Sequence, residues 1–508
     1  MANILFDALV GNTDPDRMLA KIEDGRFYTY AHAIDVSGRL AHRIVSWGVE
    51  PGDRVAVQAP KSIEAIMLYL ACLRAGAVFL PLNTAYTPAE VEYFLQDAEA
   101  RLFICDPKKA DTLQPVADKC GARLETLGLW KAGATEGGSL LEESGQNFDP
   151  FENVPREASD LAAILYTSGT TGRSKGAMLS HFNLLSNART LREYWHFTQD
   201  DMLLHALPIF HTHGLFVATN IAMLAGCRMH FQHGFNVDKI IEALPECTAM
   251  MGVPTFYTRL LDDDRLNREV CSNMRLFISG SAPLLADTHV AFEARTGYRI
   301  LERYGMTETN MNTSNPYDGE RRAGTVGFPL PDVQLRIVDP DSGKAVSQGE
   351  VGIIEVKGPN VFSGYWQMPE KTAEEFTKDG FFITGDMARE DEDGYIHIVG
   401  RAKDLVISGG YNIYPKEIEA VLDECDGVLE AAVIGVPHPD FGEAVVAILV
   451  PKADTTLDTK LIEEQLADQL ARFKQPKSYI VADALPRNTM GKVQKNVLRD
   501  QNSSLFNS

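Results

Sequence analysis

"RVAVQAPKSIEAIMLYLACLRAGAVFLPL", Arg54 to Leu82, decides the fold class. Its two ends, "RVAVQA" and "AVFLPL", are short apolar runs, the pattern of strands buried on both faces. Between them Ile63, Ile66, Met67, Leu70 and Leu73 recur at helical spacing. Strand, helix and strand in so short a span make a parallel β–α–β unit. The alternation then continues. Thr87 as N-cap, Pro88 at the first helical position and Glu90 behind it predict a capping box, and "RLFICD" predicts a third strand.

The expected fold is α/β, with sheets covered on both faces and α/β alternation to about residue 330. The polar, Gly-rich stretch from 130 to 158 reads as a surface loop. "VQLRIVD", "GIIEVKG" and "GYIHIVG" read as a small β-barrel-like part. At "GRAKD" (Gly400–Asp404) the texture changes to a compact α+β unit. It has helices from Pro415 and over Thr459–Phe473, strands near Leu429–Val436 and Val445–Val450, and a final strand in "SYIVA". A chain of 508 residues exceeds one core. The expected division is therefore a large domain over 1–400 and a small one over 401–508.

Composition narrows the function. A formal net charge of −22 argues against a nucleic-acid or anionic-membrane binder, which needs a basic surface. The seven Cys are scattered without CxxC spacing, which favours reduced, buried thiols and a cytoplasmic protein. The N-terminal stretch has no basic n-region and reaches Asp7 early, so no signal peptide is expected. The apolar stretch Gly214–Cys227 is too short to span a bilayer.

"YTSGTTGRSKGAM" (Tyr166–Met178) follows a buried strand and is rich in Gly, hydroxyls and cations. It is not a Walker loop, because Lys175 is followed by Gly176. Gly172-Arg173-Ser174-Lys175-Gly176 matches GxSxG, but a Gly/Thr run separates Ser174 from the strand-to-helix corner that a nucleophile elbow requires. A third reading fits: backbone N–H groups, hydroxyls and one Lys meeting the phosphates of ATP. Distant segments agree with it. In "ERYGMTET" (Glu302–Thr309), Glu308 offers a carboxylate to Mg²⁺ and Tyr304 a ring to a base. "ITGDMA" offers Asp386 to a ribose, with Arg401 close behind.

These motifs, with "GRAKDLVISGGYNIYPKEIE" and "PRNTMGKVQK" in the same order, resemble the adenylate-forming acyl-CoA synthetase superfamily over essentially the whole chain. The resemblance implies a mobile C-terminal domain and two half-reactions. A carboxylate attacks the α-phosphate of ATP, releasing pyrophosphate; the thiol of CoA then displaces AMP. It further implies that Thr167, Ser168, Gly169, Thr170, Thr171 and Lys175 cradle the β- and γ-phosphates. Thr307 binds the α-phosphate, and Glu308 with Thr167 holds magnesium. Glu302, Arg303, Tyr304, Gly305 and Met306 surround the nucleotide with Ser281, Ala282 and Pro283; Asp386 and Arg401 hold the ribose. Lys492 is the mobile catalytic lysine, suited by its long stem to a charge that is delivered and withdrawn. Lys403 is the hinge, and Ser408, Gly409, Gly410 and Tyr411 face CoA.

The acid is read from other segments. "LPIFHTHGLF" (Leu207–Phe216) carries His211 and His213; as HxH it lacks a third zinc ligand. Arg259 follows Pro254 on a predicted helix, and its spacing suits a second substrate carboxylate and pairing with Asp262–Asp264 equally well. "FHTHGLFVATN", "ERYGMTETNMNTSNPYDGERRAG" and "PRNTMGKVQKN" resemble malonyl-CoA synthetases in particular. That likeness implies malonate as the acid, methylmalonate or another carboxylate as the alternative, and His211, Arg259 and Ser281 around it. It also implies a protein acetyltransferase and deacetylase acting on Lys492. No carrier-like segment follows "SSLFNS", which favours free CoA as acceptor.

Overall fold

The structure is a computed structural model that describes residues 3–11, 13–128, 138–142, 149–167, 174–408, 411–488 and 491–506. Contacts divide the chain into two compact units. One comprises Met1–Ala323, Pro329–Gln334 and Lys357–Gly380; the other comprises Gly324–Phe328, Leu335–Val356 and Phe381–Ser508.

The larger unit is built on two α/β sheets. In the six-stranded sheet Arg54–Gln58 lies between Val78–Pro81 and Leu102–Cys105, parallel to both, as the alternation from Arg54 requires. The helix Ile63–Ala75 between the first two strands is buried along its whole length, so its apolar residues are not confined to one stripe. Thr87 and Glu90 close the expected capping box at the start of Pro88–Asp97. The last strand, Lys175–Ser180, turns back antiparallel against Leu161–Thr167. The nine-stranded sheet carries Met202–His205, Ala249–Gly252, Leu276–Ser279 and Leu301–Met306 as parallel neighbours, and the chain then reverses into Asn310–Ser314. Its helix-facing core gathers Tyr257, Phe277 and Phe292 with Leu260, Leu266 and Met250.

In the second unit Gln334–Val338, Gly352–Lys357, Phe382–Glu390 and Ile396–Arg401 form one four-stranded sheet. The chain then builds a separate sheet around the long antiparallel pair Val428–His438 and Gly442–Pro451, with Ser478–Val481 parallel at its side. Pro415–Asp423 and Thr459–Gln469 bury Ile418, Leu422, Ile462 and Leu466 against it. The second of these helices is shorter than its apolar pattern predicts, because Leu470 already adopts an extended backbone. Within the polar stretch 130–158, Ser139–Glu142 is a short helix. The cysteines are free thiols, all but Cys120 buried. Among the described residues no helix is long and apolar enough to cross a membrane.

Candidate active site

In the larger unit, backbone pairing of Leu161–Thr167 with Lys175–Ser180 sets Thr167 directly opposite Lys175, with Thr167 Oγ1 3.4 Å from the Lys175 carbonyl. Both ends of the Gly/Thr loop are therefore fixed side by side. Ser168, Gly169, Thr170 and Thr171 lie outside the described residues. The stem is anchored from the neighbouring helix: Tyr166 Oη donates to Asp97 at 2.5 Å, and Tyr93 Oη donates to the Ser174 carbonyl at 2.7 Å.

"YGMTET" leaves its strand at Met306 and re-enters the sheet at Asn310. Gly305 is required at this reversal, since a Cβ there would stand 1.9 Å from the Asn310 carbonyl oxygen. Thr307 is half-buried and Glu308 buried, with Tyr365 Oη 3.1 Å from Glu308 Oε1. Asn310 holds a left-handed φ of 50°, and its Oδ1 accepts from Thr212 Oγ1 at 2.8 Å. That bond joins the two-histidine segment to the "TET" turn. Glu302 is buried against His289, 3.5 Å from Nδ1.

His213 opens a π-helical turn, His213–Thr219, of the kind concentrated at functional sites. His205 braces it from beneath, with Nε2 3.0 Å from both the Gly214 carbonyl and Thr219 Oγ1. Ser281 holds φ at 71°, a strained value for a residue with a Cβ. That conformation brings its Oγ to 3.2 Å from His213 Nδ1. Burial, and after it the charge of Arg303, pushes the His213 pKa well down, so the ring is neutral. Arg303 is itself buried, and its Nε and Nη2 have no hydrogen-bond partner among the described residues. Burial draws its pKa far below the ordinary guanidinium range. Gly280 makes room for it, since a Cβ there would lie 2.5 Å from the guanidinium carbon.

Arg259 does not pair with Asp262–Asp264. It is exposed on Pro254–Leu261, 6.0 Å from the Phe235 ring centre, and forms no hydrogen bond or ion pair among the described residues. Asp263 pairs instead with Arg265. His211 is half-buried against Phe210. Alongside this segment lies a cavity of about 420 Å³ between the carboxyl ends of both sheets. Its walls include Ala59, Lys61, Thr84, Phe210, Phe235 and Phe256. Lys61 Nζ donates to the His205 carbonyl at 2.8 Å, and burial lowers its pKa strongly.

In the second unit Asp386 and Arg401 stand directly opposite on antiparallel strands, and Arg401 Nε donates to Asp386 Oδ1 at 2.7 Å. The neighbourhood expected from sequence thus arises from strand pairing. Lys403 is exposed in the 3₁₀ turn Ala402–Asp404, whose Asp404 is held by Arg499. Ser408 is buried and its backbone pairs with Tyr411; Gly409 and Gly410 lie outside the described residues. Lys492 is exposed on a tight hairpin, with its N–H 3.0 Å from Asn488 Oδ1 and its carbonyl accepting from the Asn488 N–H at 2.9 Å.

The donors fit magnesium in kind. Glu308 and Thr167 offer hard oxygen ligands, and Mg²⁺ is ordinarily held by one or two carboxylates together with substrate phosphates. Among the described residues no group of three or more His, Cys, Asp or Glu could hold a metal without such help.

Residues 8–366 match the AMP-binding enzyme family, and residues 417–492 match the C-terminal domain of AMP-binding enzymes. The fold is similar to the crystal structure of ATP-bound MatB from Rhodopseudomonas palustris, with a TM-score of 0.96 and 55% identity over 100% of each chain. The sequence is 35% identical to a malonate–CoA ligase of Arabidopsis thaliana, over 95% of this chain and 86% of that one. It is also 35% identical to a feruloyl-CoA synthase of Amycolatopsis, over 94% of each. Overall identity to these two relatives therefore does not choose between a small diacid and a large aryl acid.

Proposed function

The chain belongs to the AMP-binding enzyme family as an adenylate-forming acyl-CoA ligase, and we propose that its acid is malonate. The observation that carries this reading is the buried Arg303 guanidinium, lying against Gly280, the neighbour of Ser281, and close enough to His213 for its charge to act on that ring. A buried cation without an anionic partner is costly unless a ligand supplies the anion, and a planar fork suits a carboxylate. The distal carboxylate of malonate rests on Arg303 and Ser281, leaving the proximal carboxylate to react. An aryl or fatty acid would bring apolar surface to the same charge. Arg259 is exposed, where an ion pair is worth little, so in this reading Arg303 takes the distal carboxylate that the likeness to malonyl-CoA synthetases implied for Arg259. The name of the malonate–CoA ligase of Arabidopsis thaliana agrees with that acid, though it is the pocket and not overall identity that selects it.

In the first half-reaction a proximal carboxylate oxygen attacks the α-phosphorus, and the bond to the β-phosphate breaks, releasing pyrophosphate. Thr167, Lys175 and the loop between them neutralise the departing charge, Thr307 holds the α-phosphate, and Tyr304 with Ser281–Pro283 flanks adenine. Magnesium, held by Glu308 and Thr167, supplies further charge neutralisation when bound. His211 borders the reacting carboxylate. Asp386 and Arg401 hold the ribose, and Lys492 meets both the carboxylate and the α-phosphate. Residues 401–508 then turn about Lys403, and the thiol of CoA attacks the mixed anhydride and expels AMP. The Ser408–Tyr411 segment faces the arriving CoA.

The cavity beside Phe210 is larger than malonate needs. Its apolar walls with a few polar points suit the narrow, neutral arm of CoA. Ala59→Trp should fill it: malonate-dependent pyrophosphate release in a single turnover stays within about twofold of the parent, while thioester formation falls at least about a hundredfold. Parallel loss of both, or of neither, would show that the arm enters elsewhere.

Lys492 is exposed and thus open to reversible acetylation by a protein acetyltransferase and deacetylase, which would remove the charge that adenylation uses. Reduced thiols and ATP and CoA as co-substrates fit a cytoplasmic enzyme. The acid is tested by CoA-dependent AMP formation over a panel of carboxylates. Malonate should exceed acetate, succinate and octanoate, with methylmalonate second, since an added methyl changes discrimination only modestly. Octanoate in first place would overturn the reading.

A further inference from the structure

Tyr365 and Glu375, in "SGYWQMPEKTAEEF", have no part in the reaction as described. The segment Gly364–Trp366 runs alongside the strand Lys175–Ser180. Met178 N–H donates to the Gly364 carbonyl at 3.0 Å, and Trp366 N–H donates to the Gly176 carbonyl at 2.8 Å. This pairing carries Tyr365 to the foot of the phosphate loop from nearly two hundred residues away. The Lys175 ammonium lies 4.0 Å from the Tyr365 ring centre and 2.8 Å from Glu375 Oε1. The Tyr365 hydroxyl stands between two carboxylates, 2.7 Å from Glu375 Oε2 and 3.1 Å from Glu308 Oε1. Lys371 reaches Glu375 Oε1 at 3.2 Å. Both oxygens of Glu375 are thus engaged, and an unbroken chain runs from Lys175 through Glu375 and Tyr365 to Glu308.

The hydroxyl carries one proton, which it gives to Glu375, the nearer acceptor, or to Glu308, so it serves the two carboxylates in turn among partly or wholly buried side chains. A lysine on four methylenes is otherwise free to swing, and losing that freedom on each binding event weakens the binding. Here the swing is already suppressed. One ammonium N–H is committed to Glu375, and two remain for phosphate oxygens.

We propose that Tyr365 and Glu375 are positioning residues that hold Lys175 and Glu308 at a fixed separation, so that the β- and γ-phosphates and their magnesium ion are seated as one unit. The proposal rests on the reading of Lys175 and Glu308 as ATP-binding groups. It predicts a coupling. Mg²⁺ tightens ATP binding by some factor in the parent, and that factor shrinks when the bridge is cut.

The test is equilibrium binding of ATP at graded Mg²⁺, and of AMP, to the full-length chain carrying Tyr365→Phe, Glu375→Gln or both. Tyr365→Phe keeps the buried ring and removes only the hydroxyl. Each single variant should weaken MgATP binding about tenfold, the loss of one hydrogen bond to a charged group. The double variant should be no weaker than the worse single, because both cut one chain. AMP, which lacks the β- and γ-phosphates, should bind as in the parent. An unchanged magnesium factor, additive losses, or an equal loss of AMP binding would each overturn the bridge. Lys175→Ala and Glu308→Gln serve as references. If neither weakens MgATP binding, the nucleotide-site reading itself has failed, independently of which acid the enzyme takes.

Discussion

Lys492→Ala is expected to lower pyrophosphate release from ATP and malonate by about a thousandfold, the upper end of the effect of losing one preorganised charge-stabilising group. Attack by a carboxylate on an α-phosphate brings two anions together, and little covalent chemistry is available to the protein. In the proposed mechanism the ammonium of Lys492 is the counter-charge. Its backbone is held on both sides, with Arg487 and Val493 bridged and Asn488 bonding both the N–H and the carbonyl of Lys492, while the side chain stands exposed. The loss should be confined to the first half-reaction. With malonyl-adenylate supplied, the variant should form malonyl-CoA at the parental rate, because thiol attack expels AMP from an anhydride that no longer needs that charge. Unimpaired pyrophosphate release would remove Lys492 from the mechanism, and so would equal impairment of both halves.

The second large effect is expected at Arg303. Arg303→Met retains length and apolar bulk but removes the buried charge, and kcat/KM for malonate should fall about a thousandfold, the scale of truncating one partner of a buried charge pair. Acetate, with no second carboxylate, should be affected by less than about threefold, so the ratio of the two substrates separates recognition from general damage. Stability should move the other way. A buried guanidinium whose Nε and Nη2 lack partners among the described residues destabilises the acid-free protein, so the variant should unfold at a higher denaturant concentration than the parent. Arg259→Ala is the control: exposed and unpaired among the described residues, it should leave the preference for malonate over acetate intact. A parallel fall of malonate and acetate would remove Arg303 from acid recognition, and so would a selective loss of malonate in Arg259→Ala.

The two arginines show where sequence reading stops. Both follow an apolar run, and both neighbour a motif. Spacing leaves Arg259 open between a substrate carboxylate and Asp262–Asp264, and treats Arg303 as one letter of a nucleotide motif. Burial separates the two, because Arg303 enters the space left by Gly280, 23 positions earlier and just past the end of the adjoining strand Leu276–Ser279. No local pattern records that packing. The same holds for Tyr365 and Glu375, which look like ordinary loop and helix residues until strand pairing lays Gly364–Trp366 against Gly176–Met178. The π-helical turn at His213 and the strained φ of Ser281 also leave no periodic trace.

What the sequence determined by itself is what local physics encodes. Apolar runs and helical spacing gave the α/β alternation, and Thr87, Pro88 and Glu90 gave the capping box. The hydroxyl- and Gly-rich loop, the Glu of "TET" and the Asp of "TGD" are legible as candidates from residue type and order. Only the tertiary structure decided which charge is buried, which backbone is strained and which carboxylate steadies Lys175. Those properties depend on contacts between segments distant in sequence, and the free energy of a charge is set by what surrounds it.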